Sequence, residues 1–100
     1  MDVYEAIAEP NRRRIVEMVG VREHTAGEIG EALNISQPGA SKHLRILREA
    51  GLLGVRKDAQ RRVYRLNPDK LAEVDAWLQQ YRRYWSGRLD ALEAHLHREV

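Results

Sequence analysis

Residues 25–51 carry two sets of helix start and stop signals with only two residues between them, and that spacing leaves few folds open. Thr25-Ala-Gly-Glu28 is a capping box, in which the Thr hydroxyl and the Glu carboxylate each satisfy a backbone N–H left unpaired in the first turn of a helix. The helix it opens has Ile29, Ala32 and Leu33 on its apolar side and is expected to end near Asn34. After the link Asn34-Ile35, Ser36 is a second N-cap and Pro38 suits a first turn. This helix runs to Gly51, a favoured C-terminal stop. Two short helices joined by so tight a turn are a helix-turn-helix signature.

The same rules place a helix at 10–20, where Pro10 fits the first turn and Ile15, Val16, Met18 and Val19 supply an apolar face before Gly20. A short helix over 3–8 precedes it. Downstream, Leu52 to Asp58 and Arg61 to Leu66 are short runs containing Val55, Val63 and Tyr64, separated by Ala59-Gln60. They predict a two-stranded hairpin with a basic tip, although its turn lacks Asn-Gly or Asp-Gly. Asn67-Pro68 joins an N-cap to a first-turn Pro, and Leu71, Val74, Leu78, Tyr81, Trp85, Leu89, Leu92 and Leu96 then recur at helical spacing. That stretch is one long helix or two, with Ser86-Gly87 as the expected bend, because Gly inside a helix costs about 1 kcal/mol relative to Ala. A chain of 100 residues has room for one core. The expectation is a single α+β, mostly α domain over 1–100: helix-turn-helix at about 25–51, hairpin wing at about 52–66 and C-terminal helix at about 68–97.

Charge and composition narrow the function. The chain has 17 Lys+Arg against 15 Asp+Glu, but residues 42–65 hold 8 basic and 2 acidic groups between two slightly acidic flanks. A confined basic block is what a phosphate-binding surface requires. The absence of Cys excludes a disulfide scaffold, a thiol nucleophile and thiolate metal sites, and it is compatible with a reducing compartment. No apolar run approaches the roughly 18 residues of a membrane span, and Met1-Asp2-Val3-Tyr4-Glu5 lacks the basic and then apolar regions of a signal peptide. A cytoplasmic location with no membrane partner is therefore expected. His24 precedes Thr25 in a predicted loop, His43 lies in the second helix of the motif, and no nucleophile motif or Gly-rich phosphate loop appears. Neither a catalytic site nor a cofactor is expected.

At 100° per residue, Ala40, Leu44, Leu47 and Gly51 share one narrow sector of the second helix and must be its core side. The opposite sector holds Pro38, Ser41, Lys42, Arg45 and Glu49, with Gln37 near the N-terminus and Arg48 on the flank. Short hydroxyl, amide and cationic groups of this kind read base edges and hold phosphates in a major groove. In the hairpin, Lys57, Arg61 and Arg62 are expected to reach phosphates or a minor groove, while Tyr64 and Leu66, on the other side of the strand, are expected in the core.

Ala8-Glu-Pro-Asn-Arg-Arg-Arg-Ile15, Thr25-Ala-Gly-Glu-Ile29, Ile35-Ser-Gln-Pro-Gly-Ala-Ser-Lys-His-Leu-Arg-Ile-Leu-Arg-Glu-Ala-Gly-Leu-Leu53 and Arg62-Val-Tyr-Arg-Leu66 together resemble the ArsR-type winged-helix transcriptional repressors. The likeness covers about residues 4–84, most specifically its middle segment. It implies a homodimer that docks two recognition helices in successive major grooves of a palindromic operator on double-stranded DNA, near its own promoter, with the hairpin as wing. By position it implies that Ser36, Gln37, Ser41, Lys42, His43 and Arg45 face the groove. Gly30, Gly39 and the Gly-free wing tip depart from the family pattern, and the family's cysteine pair is replaced within Gly27-Glu-Ile-Gly-Glu-Ala-Leu33. The arsenite or soft-metal response therefore does not carry over.

Leu71, Leu78, Trp85 and Leu92 are spaced by seven, with Val74 and Tyr81 between them, and this stripe is broad enough for a core and a partner helix. Dimerisation through the C-terminal helix is expected, joined by Val3, Tyr4 and Ile7 of the N-terminal helix. The C-terminal Asp90, Glu93, His95, His97 and Glu99 offer a single one-face pair, Glu93 and His97, so no metal site is expected. Release from DNA then falls to a small organic ligand, a partner protein or simple autoregulation, among which the residues do not choose. Two other functions fit the same fold, a winged-helix protein-interaction module and a non-specific architectural DNA binder.

Overall fold

The structure, a computed structural model, describes residues 1–99 and the side chains of all of these except 89, 90 and 97–99. In chain order its elements are α1 (Val3–Ala8), α2 (Pro10–Val21), β1 (His24–Thr25), α3 (Ala26–Leu33), α4 (Gln37–Glu49), β2 (Leu53–Asp58), β3 (Arg61–Leu66) and α5 (Asp69–Glu99).

The arginines after Pro10 explain how a helix as short as α1 ends. A helix leaves its last four carbonyls without intrahelical partners. Here Arg12 donates to Ala6 O at 2.7 Å and to Glu5 O at 3.3 Å, while Arg13 donates to Ile7 O at 3.0 Å and Ala8 O at 2.9 Å. Glu9, between the two helices, caps α2 by accepting from the Arg12 N–H at 2.9 Å.

The capping box forms as written in the sequence: Thr25 Oγ1 accepts from Glu28 N at 3.1 Å, and a Glu28 carboxylate oxygen accepts from Thr25 N at 3.0 Å. Asn34 ends α3 in the left-handed region, at φ 53°, which its short polar side chain tolerates. At the end of α4, Leu52 N bonds to Leu47 O and Gly51 N to Arg48 O, both at 2.9 Å, with Gly51 at φ +83°. This is a Schellman motif, and the buried pair Leu47 and Leu52 supplies its apolar contact.

The hairpin turns at Ala59-Gln60, with Ala59 at φ 57°, and its register sets Lys57 opposite Arg62 and Val55 opposite Tyr64. The sheet, however, has three strands in the order β1-β3-β2. His24 and Thr25, expected in a loop, pair with Tyr64 and Val63 along the free edge of β3. Two residues are too few to show alternation, and Thr25 also caps α3.

The core joins Val3 and Ala6 of α1, Ile15 and Val19 of α2, Ile29 and Leu33 of α3, Leu44 and Leu47 of α4, and Leu52, Leu53 and Tyr64 beyond them. On α3 the buried side differs from expectation, since Ala32 is exposed and Gly30 is buried. The reason is the close approach of α4, for a Cβ at Gly30 would lie 3.7 Å from that of Ala40. Of one helix or two, α5 is one, continuing through Ser86-Gly87. Leu71 and Val74 pack on the core and Leu78 is half-buried, after which α5 leaves the domain. At 1.5 Å per residue this helix is roughly 46 Å long, within a molecule measuring 60 × 27 × 21 Å.

Candidate nucleic-acid interface

The outward face of α4 and the inward side of the wing form one cleft. Ser36 starts α4, its hydroxyl accepting from Gly39 N at 3.2 Å. A Cβ at residue 39 would come within 3.2 Å of that oxygen, so Gly39 leaves room for the cap where the sequence suggested only a looser helix. With Ala40, Leu44 and Leu47 buried, Ser41, Lys42, Arg45 and Arg48 are exposed on the other side.

A cleft of about 530 Å³ lies between α4 and β3, lined by Pro38, Ser41, Lys42, Arg45, Arg48 and Arg62, with Ala26 and Tyr64 at its floor. A second opening of about 270 Å³ joins Arg48 to Val55, Arg56, Lys57 and Arg62. A third, of about 410 Å³ at the tip of the wing, joins Gln37 to Gln60, Arg61 and Arg62. Arg62 thus shares the side of β3 that carries Tyr64, correcting the expectation that the basic and core residues of that strand lie on opposite sides. Strand alternation through 62, 64 and 66 carried this signal. Arg48, treated as a flank residue in the sequence, belongs to the centre of the site.

The cations of this surface differ from those around it. Among the described residues, Arg56 pairs with Glu23 at 2.8 Å, Arg61 with Asp58 at 3.3 Å and Arg22 with Glu28 at 3.3 Å. The Glu23 carboxylate, as hydrogen-bond acceptor and as opposite charge, holds the Arg56 guanidinium above its usual pKa. Lys42, Arg45, Arg48, Lys57 and Arg62 make no ion pair among the described residues. Uncompensated like charges around a cleft without an acid create a field that an anionic chain would neutralise.

His43 departs from the set. Its side chain is 18% exposed and turned away from Lys42 and Arg45, towards Glu9 and Arg12 at the corner of α1 and α2. One position beyond Lys42, it sits on the flank of α4 that this corner covers.

The residues expected at a dimer interface divide. Val3 is 3% exposed and belongs to the chain's own core, correcting its assignment to an outer surface. Ile7, Leu71, Val74 and Leu78 are half-buried, whereas Tyr4, Tyr81, Trp85 and Leu92 are exposed. Trp77, absent from the expected stripe, completes an aromatic ladder: Tyr4 and Trp77 meet edge to face at 5.9 Å, Trp77 and Tyr81 at 5.5 Å, and Tyr81 stacks on Trp85 at 6.5 Å. Spacing by four from Trp77 to Trp85 is the signal that reveals it. Of the C-terminal groups considered as metal ligands, Asp90, His97 and Glu99 lie outside the described side chains. Among the described residues no group of three His, Asp or Glu could hold a metal ion. No helix among them is long and apolar enough to cross a membrane.

This arrangement has known counterparts. A helix-turn-helix domain family matches residues 7–56. The chain is 36% identical over 77 residues to the transcriptional repressor SdpR of Bacillus subtilis, covering 77% of this chain and 86% of that one. It is 36% identical over 86 residues to the HTH-type transcriptional regulator Rv2034 of Mycobacterium tuberculosis, covering 86% of this chain and 78% of that one. Among solved structures, a "possible transcriptional regulator for arsenical resistance" superposes with a TM-score of 0.73 at 39% identity, covering 95% of this chain and 96% of the other. With the helix-turn-helix, the wing and these relatives together, the chain belongs to the ArsR-type winged helix-turn-helix family of DNA-binding transcriptional regulators.

Proposed function

We propose that the protein is a cytoplasmic, homodimeric repressor that binds a palindromic operator and acts by occupying DNA, without catalysis. The observation that carries this reading is the cleft between α4 and the wing, where Lys42, Arg45, Arg48 and Arg62 converge with no acidic residue in the lining. Ser41, Lys42 and Arg45 are the groups for base edges, with Gln37 at the helix start. Arg48, Lys57 and Arg62 hold the backbone on the wing side, and Arg61 contributes less because Asp58 already neutralises it. The exposed ladder from Tyr4 to Trp85 is the surface for a second copy. Two readers are needed because half-sites one helical turn apart lie about 34 Å from each other.

Selection of duplexes from a random-sequence pool, followed by footprinting of the enriched sequence, tests the proposal. The expected product is an inverted repeat protected on two successive major grooves. Recovery of sequences with no shared motif would support an architectural binder instead, and absence of binding at low salt an interaction module.

A further inference from the structure

The imidazole of His43 sits between two opposite charges that belong to a different part of the fold. Its Nδ1 lies 3.4 Å from Arg12 Nη1 and 3.7 Å from a Glu9 carboxylate oxygen. Both partners are themselves held. Arg12 is 9% exposed and bonded to the carbonyls of Ala6 and Glu5, and Glu9 accepts from the Arg12 N–H as cap of α2. Burial alone would raise the Glu9 carboxyl pKa, but the backbone N–H groups of Arg12 and Asn11 and the charge of the Arg12 guanidinium oppose it, and the carboxyl is held below its usual value.

A guanidinium has five donors and no acceptor, and it does not lose its proton in a protein. In the Arg12–His43 hydrogen bond the ring nitrogen must therefore accept. That assigns a neutral imidazole with its hydrogen on Nε2.

We propose that His43 is a positioning residue of the recognition helix. Its neutral ring accepts from Arg12, fastens α4 to the corner of α1 and α2, and so sets the angle at which Ser41, Lys42 and Arg45 meet DNA. The proposal rests on the DNA-binding reading above. Protonation removes the acceptor and turns Nδ1 into a donor facing a guanidinium, leaving Glu9 as its acceptor. The ring thus has a different partner in each protonation state. The charged groups that face it are Arg12 and Glu9. α3 and β2 also pack on α4, but among the described residues none of their charged side chains, Glu28, Glu31, Arg56, Lys57 or Asp58, bonds or pairs with it.

The first test reads the ring nitrogens by NMR in the full chain at about pH 8, near the upper end of the span over which histidines change charge. Nδ1 unprotonated and Nε2 protonated is the expected result, and the reverse tautomer overturns the proposal. The second compares binding to the selected duplex and to a random duplex of equal length. His43→Asn keeps an acceptor oxygen where Nδ1 stood and should bind within about twofold of wild type, whereas His43→Leu should lose about fivefold or more on the selected duplex and much less on the random one.

Acidification to about pH 5 supplies a readout that packing alone would not move. Added positive charge by itself favours DNA binding, so a wild-type affinity that falls as pH is lowered, while that of His43→Asn does not, has the opposite sign to the general effect. An identical pH course for the two proteins, or wild-type discrimination by a folded His43→Leu, overturns the assignment. If His43→Leu does not fold, the tautomer and the His43→Asn pH course decide. A wild-type protein that holds both duplexes alike faults the DNA reading instead, and the tautomer still decides the role of His43.

Discussion

Arg12 Nε lies 2.7 Å from the carbonyl oxygen of Ala6, and through this contact the side chain of one helix closes the end of another. Arg12→Met keeps the apolar stem but strips Ala6 O and Glu5 O of the donors that the guanidinium supplies. Urea unfolding should show a loss of about 2–4 kcal/mol, as expected for a buried charge-assisted group. Arg12→Lys should recover only part of it, since an ammonium cannot span the same acceptors. Unchanged stability in Arg12→Met would mean that these bonds contribute nothing.

On the surface proposed to meet DNA, the paired and unpaired cations should behave differently. Arg45→Ala is expected to cost about 1–3 kcal/mol on the selected duplex and less on random DNA, as for a side chain at a base edge. Arg62→Ala and Arg48→Ala should weaken both duplexes alike and flatten the salt dependence by about one phosphate contact. Arg61→Ala should do less than either, because Asp58 already offsets that charge. Titrations at two salt concentrations separate these outcomes, and a selective effect of Arg62→Ala at one base pair would make the wing a reader of bases.

Much of this was legible in the residues because local chemistry and tertiary packing agree there. Thr25 and Glu28, Ser36, Asn34 and Gly51 each satisfy a rule that operates within a few residues, and each element they bound appears in the fold. What escaped notice depends on partners distant in sequence. β1 exists only because β3 offers it an edge, and Gly30 is buried only because Ala40 crosses it. His43 illustrates the same limit: helical position alone leaves it near the groove face, and Arg12, far away in the chain, decides which way the ring turns.

A side chain at Gly51 should cost stability. Its φ of +83° is left-handed, and a Cβ would come within 3.0 Å of Lys70 Cγ at the start of α5. The lysine stem can yield, but the backbone conformation cannot change without breaking the bonds from Gly51 and Leu52 back to α4. Gly51→Ala should lower stability by about 1–2 kcal/mol, visible as a lower urea midpoint. A midpoint equal to that of wild type would show that the Schellman turn relaxes freely.

The acid dependence of stability should carry a contribution from Glu9. Its carboxyl is held below the usual value of 4.5, burial being outweighed by the N–H groups of Arg12 and Asn11 and by nearby positive charge. A depressed folded pKa means that the stabilisation is fully present above the unfolded value and is lost as pH falls through the folded one. Glu9→Gln should therefore be less stable than wild type near neutrality, and the two stabilities should converge below about pH 4.5. Parallel stability curves through that window would remove Glu9 as a contributor.

Association should depend on the aromatic ladder of α5. Trp77 is 48% exposed, Tyr81 43% and Trp85 45%, on a helix whose first turns alone pack against the domain. Covering the open half of one such ring is worth about 2 kcal/mol at the usual coefficient for apolar area. In a twofold dimer each substitution acts twice. Trp85→Ala should thus weaken dimerisation by roughly 4 kcal/mol, near a thousandfold in Kd, while leaving the unfolding of the domain little changed, since Trp85 is outside the core. Tyr4→Ala should act in the same direction from α1, through loss of its contact with Trp77. Sedimentation equilibrium at micromolar concentration and moderate salt measures both effects. The selected duplex gives a second reading, because a monomer engages one half-site and loses the protection of the other groove. A wild-type monomer under these conditions, or a Trp85→Ala dimer as tight as wild type, would move the interface away from this ladder.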